Sequence, residues 1–274
     1  MTAPSGPAPQ APDGALVRTR ADGSQDVIVR EEPLLLVVHG QQLLTMRTPG
    51  RDHDLAVGFL LGEGVITAAS GVRSTRFTPG DADNARADEI AIELAAPPDA
   101  AVRGRLQRTH EIRSSCGVCG IADPQALLDG MPPLLPGVPR LPRRLVPELL
   151  VALRKHQPLF AATGGCHGAL VAAADGTVLG HGEDVGRHNA LDKAIGMAAR
   201  AGHDLARAVA VLSGRAGFDL VQKGLRVRIP ILISVSAPSA LAFDLCDAAG
   251  ATLLGFARGA DARVYCDGSA RLIG

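Results

Sequence analysis

The chain has 274 residues, 46% of them apolar, so it can bury a core without disulfides or a structural metal and is not a disordered chain. Its 28 basic and 28 acidic side chains cancel, which leaves no bulk field favouring nucleic acid or an anionic membrane, and any anion has to be held by a local cluster. There is no signal-peptide pattern and no run of 18 apolar residues, so a cytoplasmic protein without a membrane span is expected, and its five cysteines point to metal, redox or sulfur chemistry rather than a disulfide framework.

Residues 1–14 are rich in Pro, Ala and Gly and read as a disordered tail. Asp26 to Val38 reads as β structure around Pro33, His39-Gly40 as a turn, and Gln42 to Met46 as the returning strand of a hairpin. Asp52 is the expected N-cap of a helix over Leu55 to Glu63, stopped by Gly64. A polar, turn-rich stretch, 78–88, precedes a half-buried strand in which Ile90, Ile92 and Leu94 alternate. These elements make a β-rich N-terminal subdomain, 15–122, that ends in a cysteine loop, Arg113 to Gly120.

A short helix is expected near Pro124 to Asp129, and the density of prolines between Met131 and Pro147 marks 123–147 as a linker. Strands and helices then alternate through 148–274. Ala169–Ala174 and Val178–Leu179 are strands flanking the Asp175-Gly176 turn. Asn189 caps a helix to Arg200, with Leu191, Ala194, Ile195 and Ala198 on one face and Gly202 after its end. A strand at Ala208–Leu212, a helix at Phe218–Leu225, a strand at Ile229–Val235, a helix at Ser239–Ala249 and strands at Thr252–Phe256 and Arg263–Cys266 follow. This alternation predicts a layered α/β (α+β) domain.

The sharpest chemical feature is Ser114-Ser115-Cys116-Gly117-Val118-Cys119-Gly120. Two thiols three positions apart fit on one turn, and the glycines leave the sulfurs uncovered. Arg113 and the backbone amides favour a thiolate, which can attack a donor persulfide and keep its terminal sulfur while the second thiol assists or resolves the adduct. A structural zinc site would need four ligands, and Cys166, His167, Cys246 and Cys266 are not at zinc-finger spacing. A thioredoxin-like dithiol is the other alternative, but glycine follows each cysteine and Pro124 comes soon after, so the stretch reads as a loop rather than the start of a helix.

Five further stretches border predicted strands: 163–168, 183–188, 213–217, 237–239 and 256–261. They combine small residues, which allow close backbone approach, with His167, Arg187, His188, Ser213, Arg215 and Arg258. Taken singly they read as turns, and His167 as a satisfied turn histidine. Together, outside the carboxyl ends of one sheet, they suggest a site for a nucleotide-like or phosphorylated ligand, with Arg187, His188 and a helix N-terminus as an anion site oriented by Glu183 and Asp184. The Gly-Lys-Ser/Thr of a Walker loop is missing, and His181-Gly182-Glu183 lacks the downstream cysteine pair of a zinc deaminase.

The stretches SSCGVCG at 114–120, TGGCHGA at 163–169, GEDVGRHNALDKAIG at 182–196, SGRAGFDLVQK at 213–223, SAPSALA at 236–242 and GFARG at 255–259, with VGFLLGEGVI at 57–66, resemble the FdhD family from about residue 27 onward. The resemblance implies a β-rich N-terminal part and a cytidine-deaminase-like domain without zinc, assembled as a homodimer. It implies a sulfurtransferase that takes persulfide sulfur from a cysteine desulfurase. The sulfur goes to the molybdenum bis(molybdopterin guanine dinucleotide) cofactor before insertion into the formate dehydrogenase catalytic subunit. Cys116 matches the persulfide cysteine and Cys119 its partner. Phe256, Ala257, Arg258, Gly259, Ala260 and Asp261 match the cofactor-contacting segment, and GDP is the expected fragment ligand. Cys166 carries no assigned role. A cofactor-binding chaperone without sulfur chemistry and a dithiol oxidoreductase are the rival readings.

Overall fold

The computed structural model describes residues 10–81, 86–98, 100, 106, 128, 130–259 and 261–274. The expected N-terminal tail falls largely outside these residues, as do Cys116, Cys119, Ala260 and all of Pro124–Asp129 except Leu128.

β1 (Ala15–Thr19) and β2 (Gln25–Val29) form an antiparallel ribbon. β3 (Glu32–Val38) and β4 (Gln41–Arg47) are the expected hairpin, turned by His39 and Gly40 at φ 48° and 78°. That positive-φ pair matches the right-handed twist of the strands it joins. β5 (Val72–Thr78) and β6 (Asp88–Leu94) complete a four-stranded sheet of order β4-β3-β6-β5, in which β3 and β6 are parallel. Leu34, Leu36, Val38, Ile90 and Ile92 alternate onto its buried face, where they share one core with α1 (Asp52–Gly62). Asp52 is not the cap of that helix: Arg51, in the left-handed region, stands there. The carboxylate of Asp52 is taken 2.8 Å away by the fully buried guanidinium of Arg47, which also bonds Asp88.

The rest of the chain supplies β7 (Leu141–Pro142), β8 (His167–Ala173), β9 (Val178–Asp184), β10 (Ala208–Leu212), β11 (Ile231–Ser234), β12 (Thr252–Arg258), β13 (Asp261–Asp267) and β14 (Leu272–Ile273). It also supplies α2 (Leu145–Lys155), α3 (Pro158–Thr163), α4 (Arg187–Arg200), α5 (Phe218–Arg226) and α6 (Ala240–Ala248). Strands β8 to β13 form one mixed sheet of order β13-β12-β11-β10-β8-β9, parallel only across β10-β11-β12. Its central strands are apolar without interruption because both faces are covered. Val209, Val211, Ile231 and Ile233 pack under Leu145, Leu149 and Leu153 of α2, while Ala208, Ala210, Leu212 and Leu232 join the α4–α6 core. The molecule is therefore mixed α and β, as the alternation predicts, and among the described residues no helix is long and apolar enough to cross a membrane.

Two devices join the halves. α1 lies directly on α4, and the contact is backbone to backbone. A Cβ on Gly58 would stand 1.8 Å from the carbonyl oxygen of Asp192, and one on Gly196 would stand 1.9 Å from that of Asp54. Each helical glycine costs roughly 0.5–1 kcal/mol relative to alanine, accepted here for closeness. The proline-rich stretch, for its part, is fastened to the end of the chain. The fully buried Arg271 donates to the carbonyls of Val138 at 3.0 Å, Leu135 at 2.9 Å and Gly250 at 2.5 Å, and β7 pairs with β14.

Candidate functional site: the carboxyl edge of the six-stranded sheet

The register collects the signature loops. His167 pairs with Asp184, Ala169 with Leu212, Leu212 with Ser234, and Ile233 with Leu254. The start of β8 thus lies beside the ends of β9, β10, β11 and β12, and all five predicted stretches sit at one sheet edge. They are laced together there. Gly168 N–H donates to Ser213 Oγ at 2.8 Å, Ser213 N–H to Gly168 O at 3.0 Å, and Ser234 Oγ to Gly214 O at 2.6 Å. The amide of Ala216 donates to Ala237 O at 3.2 Å and that of Ser239 to Ala216 O at 3.0 Å, so two loops are zipped together. Each bond satisfies backbone that the strand ends would otherwise leave open.

One expected loop is not a loop. β12 continues to Arg258, Gly259 turns the chain at φ 56°, and β13 begins at Asp261, so 256–261 is the tip of a hairpin. Phe256 sits in it at φ 50°, its amide bonded to Ser236 O at 3.0 Å and its ring under Arg263.

A cleft of about 640 Å³ opens at this edge. It brings together His167, Ser213, Ala257, Arg258 and Gly259 of the predicted site. Phe256, Asp261, Arg187, His188 and Arg215 are not in its wall. One face of the cleft is built by α2 and α3, through Leu150, Val151, Arg154 and Phe160, which sequence reasoning missed. The signal was present: Leu145, Leu149 and Leu153 recur every fourth residue and bury one helix face, but the nearby prolines conceal it. Pro147 is harmless there, since a proline in the first helical turn removes no helical hydrogen bond. No carboxylate is among the described lining residues, so the wall carries only basic ionisable groups and a thiol.

The charged run at 183–193 is mainly architectural. Glu183 does not orient Arg187 or His188: its carboxylate accepts the amides of Leu159 at 2.9 Å and Phe160 at 2.8 Å, at the start of α3, and the thiol of Cys166 at 3.3 Å. Asp184 pairs with Lys193 at 2.7 Å and accepts Thr48 N–H at 3.1 Å, while Lys193 donates to Thr48 O at 2.8 Å. This buried pair thereby clamps the end of β4. Asn189 does not cap α4, which starts at Arg187 behind Gly186. Its amide reaches Met46 O at 2.8 Å.

His188 turns away from the cleft. Its Nε2 is buried 3.7 Å from Asp219, and burial, then Arg187 and Lys223, depress its pKa to about 4. His167 is likewise lowered, by burial first and Arg187 second. Behind His188, Lys223 bridges Glu63 at 3.0 Å and Asp192 at 2.9 Å.

Three cysteines are described, and all are buried. Burial and the Glu183 carboxylate push the Cys166 thiol well up. Cys246 is raised by its hydrogen bond with Cys266 and by burial, and Cys266 is lowered by the same bond. Among the described residues no cluster of three or more His, Cys, Asp or Glu is arranged to hold a metal ion.

The FdhD/NarQ family model matches residues 29–273. The chain is 40% identical over 274 residues to the sulfur carrier protein FdhD of Anaeromyxobacter dehalogenans, covering 94% of each chain. It is 42% identical over 267 residues to that of Streptomyces avermitilis, covering 92% of this chain and 90% of the relative. With that of Nocardia farcinica the identity is 43% over 248 residues, covering 88% and 86%. A crystal structure from Desulfotalea psychrophila, described as that of a formate dehydrogenase accessory protein, shares the fold at a TM-score of 0.70 and 24% identity, covering 94% of this chain and 98% of that one. The edge loops, the charged clamp and the cysteine pair all fall within the span that the family model matches, and on that span the chain belongs to the FdhD/NarQ family.

Proposed function

We propose that the chain is a sulfur carrier for formate dehydrogenase maturation. The observation that carries this reading is the basic, carboxylate-free cleft at the edge where the family loops meet, in a chain 40% identical to a protein named sulfur carrier protein FdhD. The three described thiols are buried, which hinders attack on a donor persulfide and supports assigning that step to Cys116 and Cys119, outside the described residues. The Cys116 thiolate attacks the outer sulfur of a cysteine desulfurase persulfide. The donor's S–S bond breaks, the donor leaves as a thiolate, and Cys116 holds the persulfide. Cys119 assists its release to the molybdenum bis(molybdopterin guanine dinucleotide) cofactor, bound as cargo at the sheet edge. Arg258, Ser213 and the backbone at Gly259 face that cargo, with His167 as a neutral hydrogen-bonding group. Ala257 lines the same cleft, and GDP serves as a fragment of the cargo.

The same reading takes 148–274 as a cytidine-deaminase-like domain without zinc, 15–122 as the part bearing the thiols, 123–147 as their connection, and a cytoplasmic homodimer as the working form. The test is intact-mass spectrometry after incubation with a cysteine desulfurase and cysteine. The expected result is a gain of about 32 Da, one sulfur atom, lost in Cys116→Ala and retained in Cys246→Ala. A loss of about 2 Da instead would make the pair a dithiol couple, and no change would leave a cofactor chaperone.

A further inference from the structure

Arg154 lines the cleft from α2, an element that carries none of the family stretches. Its guanidinium carbon stands 5.2 Å from the centroid of the Phe160 ring. Among the described residues, neither Arg154 nor Arg258 has a carboxylate within salt-bridge distance, whereas Arg47, Lys193 and Lys223 each have at least one. Within the lining, then, two arginines from different walls, α2 and the end of β12, stand without counter-ions in a chain of zero net charge. A planar guanidinium held on an aromatic face keeps its edge donors free, and such a group suits bidentate binding of phosphate oxygens.

We propose that Arg154 is a ligand-binding residue of this cleft, holding a phosphoryl group of the guanine-dinucleotide cargo from the α2 wall, with Arg258 supplying a second cation from β12. This rests on the cofactor reading of the cleft given above and adds to it a residue that makes α2 part of the binding site. The specificity that follows is for a diphosphate with an apolar flank. Leu150, Val151 and Phe160 beside Arg154 form an apolar wall, against which a purine can lie while the charge is held at the corner.

The experiment is GDP binding by calorimetry to the full chain and to two single variants. Arg154→Met keeps the side-chain stem and removes the charge, and Lys155→Met removes the neighbouring charge, which is not in the cleft wall. Arg154→Met is expected to weaken GDP about tenfold to a hundredfold, the loss of one charge-assisted contact, while Lys155→Met stays within about twofold of the parent chain. Its thermal midpoint is expected to stay with that of the parent. Parent-like GDP binding by Arg154→Met overturns the proposal and leaves the cofactor reading standing. Equal losses in both variants overturn it too, because the effect is then diffuse charge rather than a site. A parent chain that does not bind GDP overturns both the proposal and the cofactor reading of the cleft, while persulfide loading of Cys116 tests the sulfur-carrier step separately.

Discussion

Lys223→Met removes the one cation shared by Glu63 and Asp192 while keeping the stem that packs against Gly62. The side chains of Lys223 and Asp192 are 8% and 2% exposed, so water cannot replace the lost partner. Two carboxylates hold Lys223 well above the usual lysine range despite its burial. Asp192 has only a share of that lysine, and burial pushes it from 3.8 to about 6. That rise is worth about 3 kcal/mol at 1.36 kcal/mol per pKa unit; the stability is present below 3.8 and lost as the pH climbs through 6. Without the lysine the Asp192 pKa rises further, and Glu63, held low chiefly by Lys223 against its burial, loses a contribution present at neutral pH. Breaking a buried pair by deleting one partner costs about 3–5 kcal/mol, the loss expected at pH 8. At pH 5, where Asp192 is protonated in the folded state of both proteins, the loss should be smaller by at least about 1 kcal/mol. Urea unfolding of parent and variant at the two pH values measures both differences. An identical loss at pH 5 and pH 8, or a loss at pH 8 under about 1 kcal/mol, would refute the argument that an uncompensated Asp192 dominates.

Two further changes probe the frame of the site. Gly196→Ala places a methyl group where a Cβ would lie 1.9 Å from the Asp54 carbonyl, so α1 and α4 must separate, and a destabilisation above about 3 kcal/mol is expected in denaturant unfolding. A parent-like midpoint would show that the two helices part freely. Glu183→Gln leaves the amides of Leu159 and Phe160 with a weaker acceptor, a loss of about 1–2 kcal/mol, and removes the negative charge that helps hold the Cys166 thiol protonated. Alkylation of Cys166 by iodoacetamide at pH 8.5 should therefore speed up, and an unchanged rate would mean that burial alone protects the thiol.

Much of the frame was legible along the chain because it depends on short-range pattern. The alternation of Leu34, Leu36 and Val38 and the unbroken apolar runs at 208–212 and 231–233 follow from local periodicity and backbone chemistry. Strand and helix order alone was enough to bring five loops to one sheet edge, since a strand's end and its neighbour's start are set by connection and direction. The partners of the charged side chains were not legible. The stretch 183–188 reads as a ligand loop in one dimension. In three dimensions Asp184 answers Thr48, 136 positions away, and Lys223 answers Glu63, 160 positions away. A charge buried by tertiary packing must find whatever counter-charge or backbone dipole the fold brings within about 3 Å, and local sequence does not encode that distance. Arg154 shows the converse. Its own segment reads as an amphipathic helix beside a linker, and only the packing of α2 against the sheet turns one of its exposed charges into part of the cleft wall.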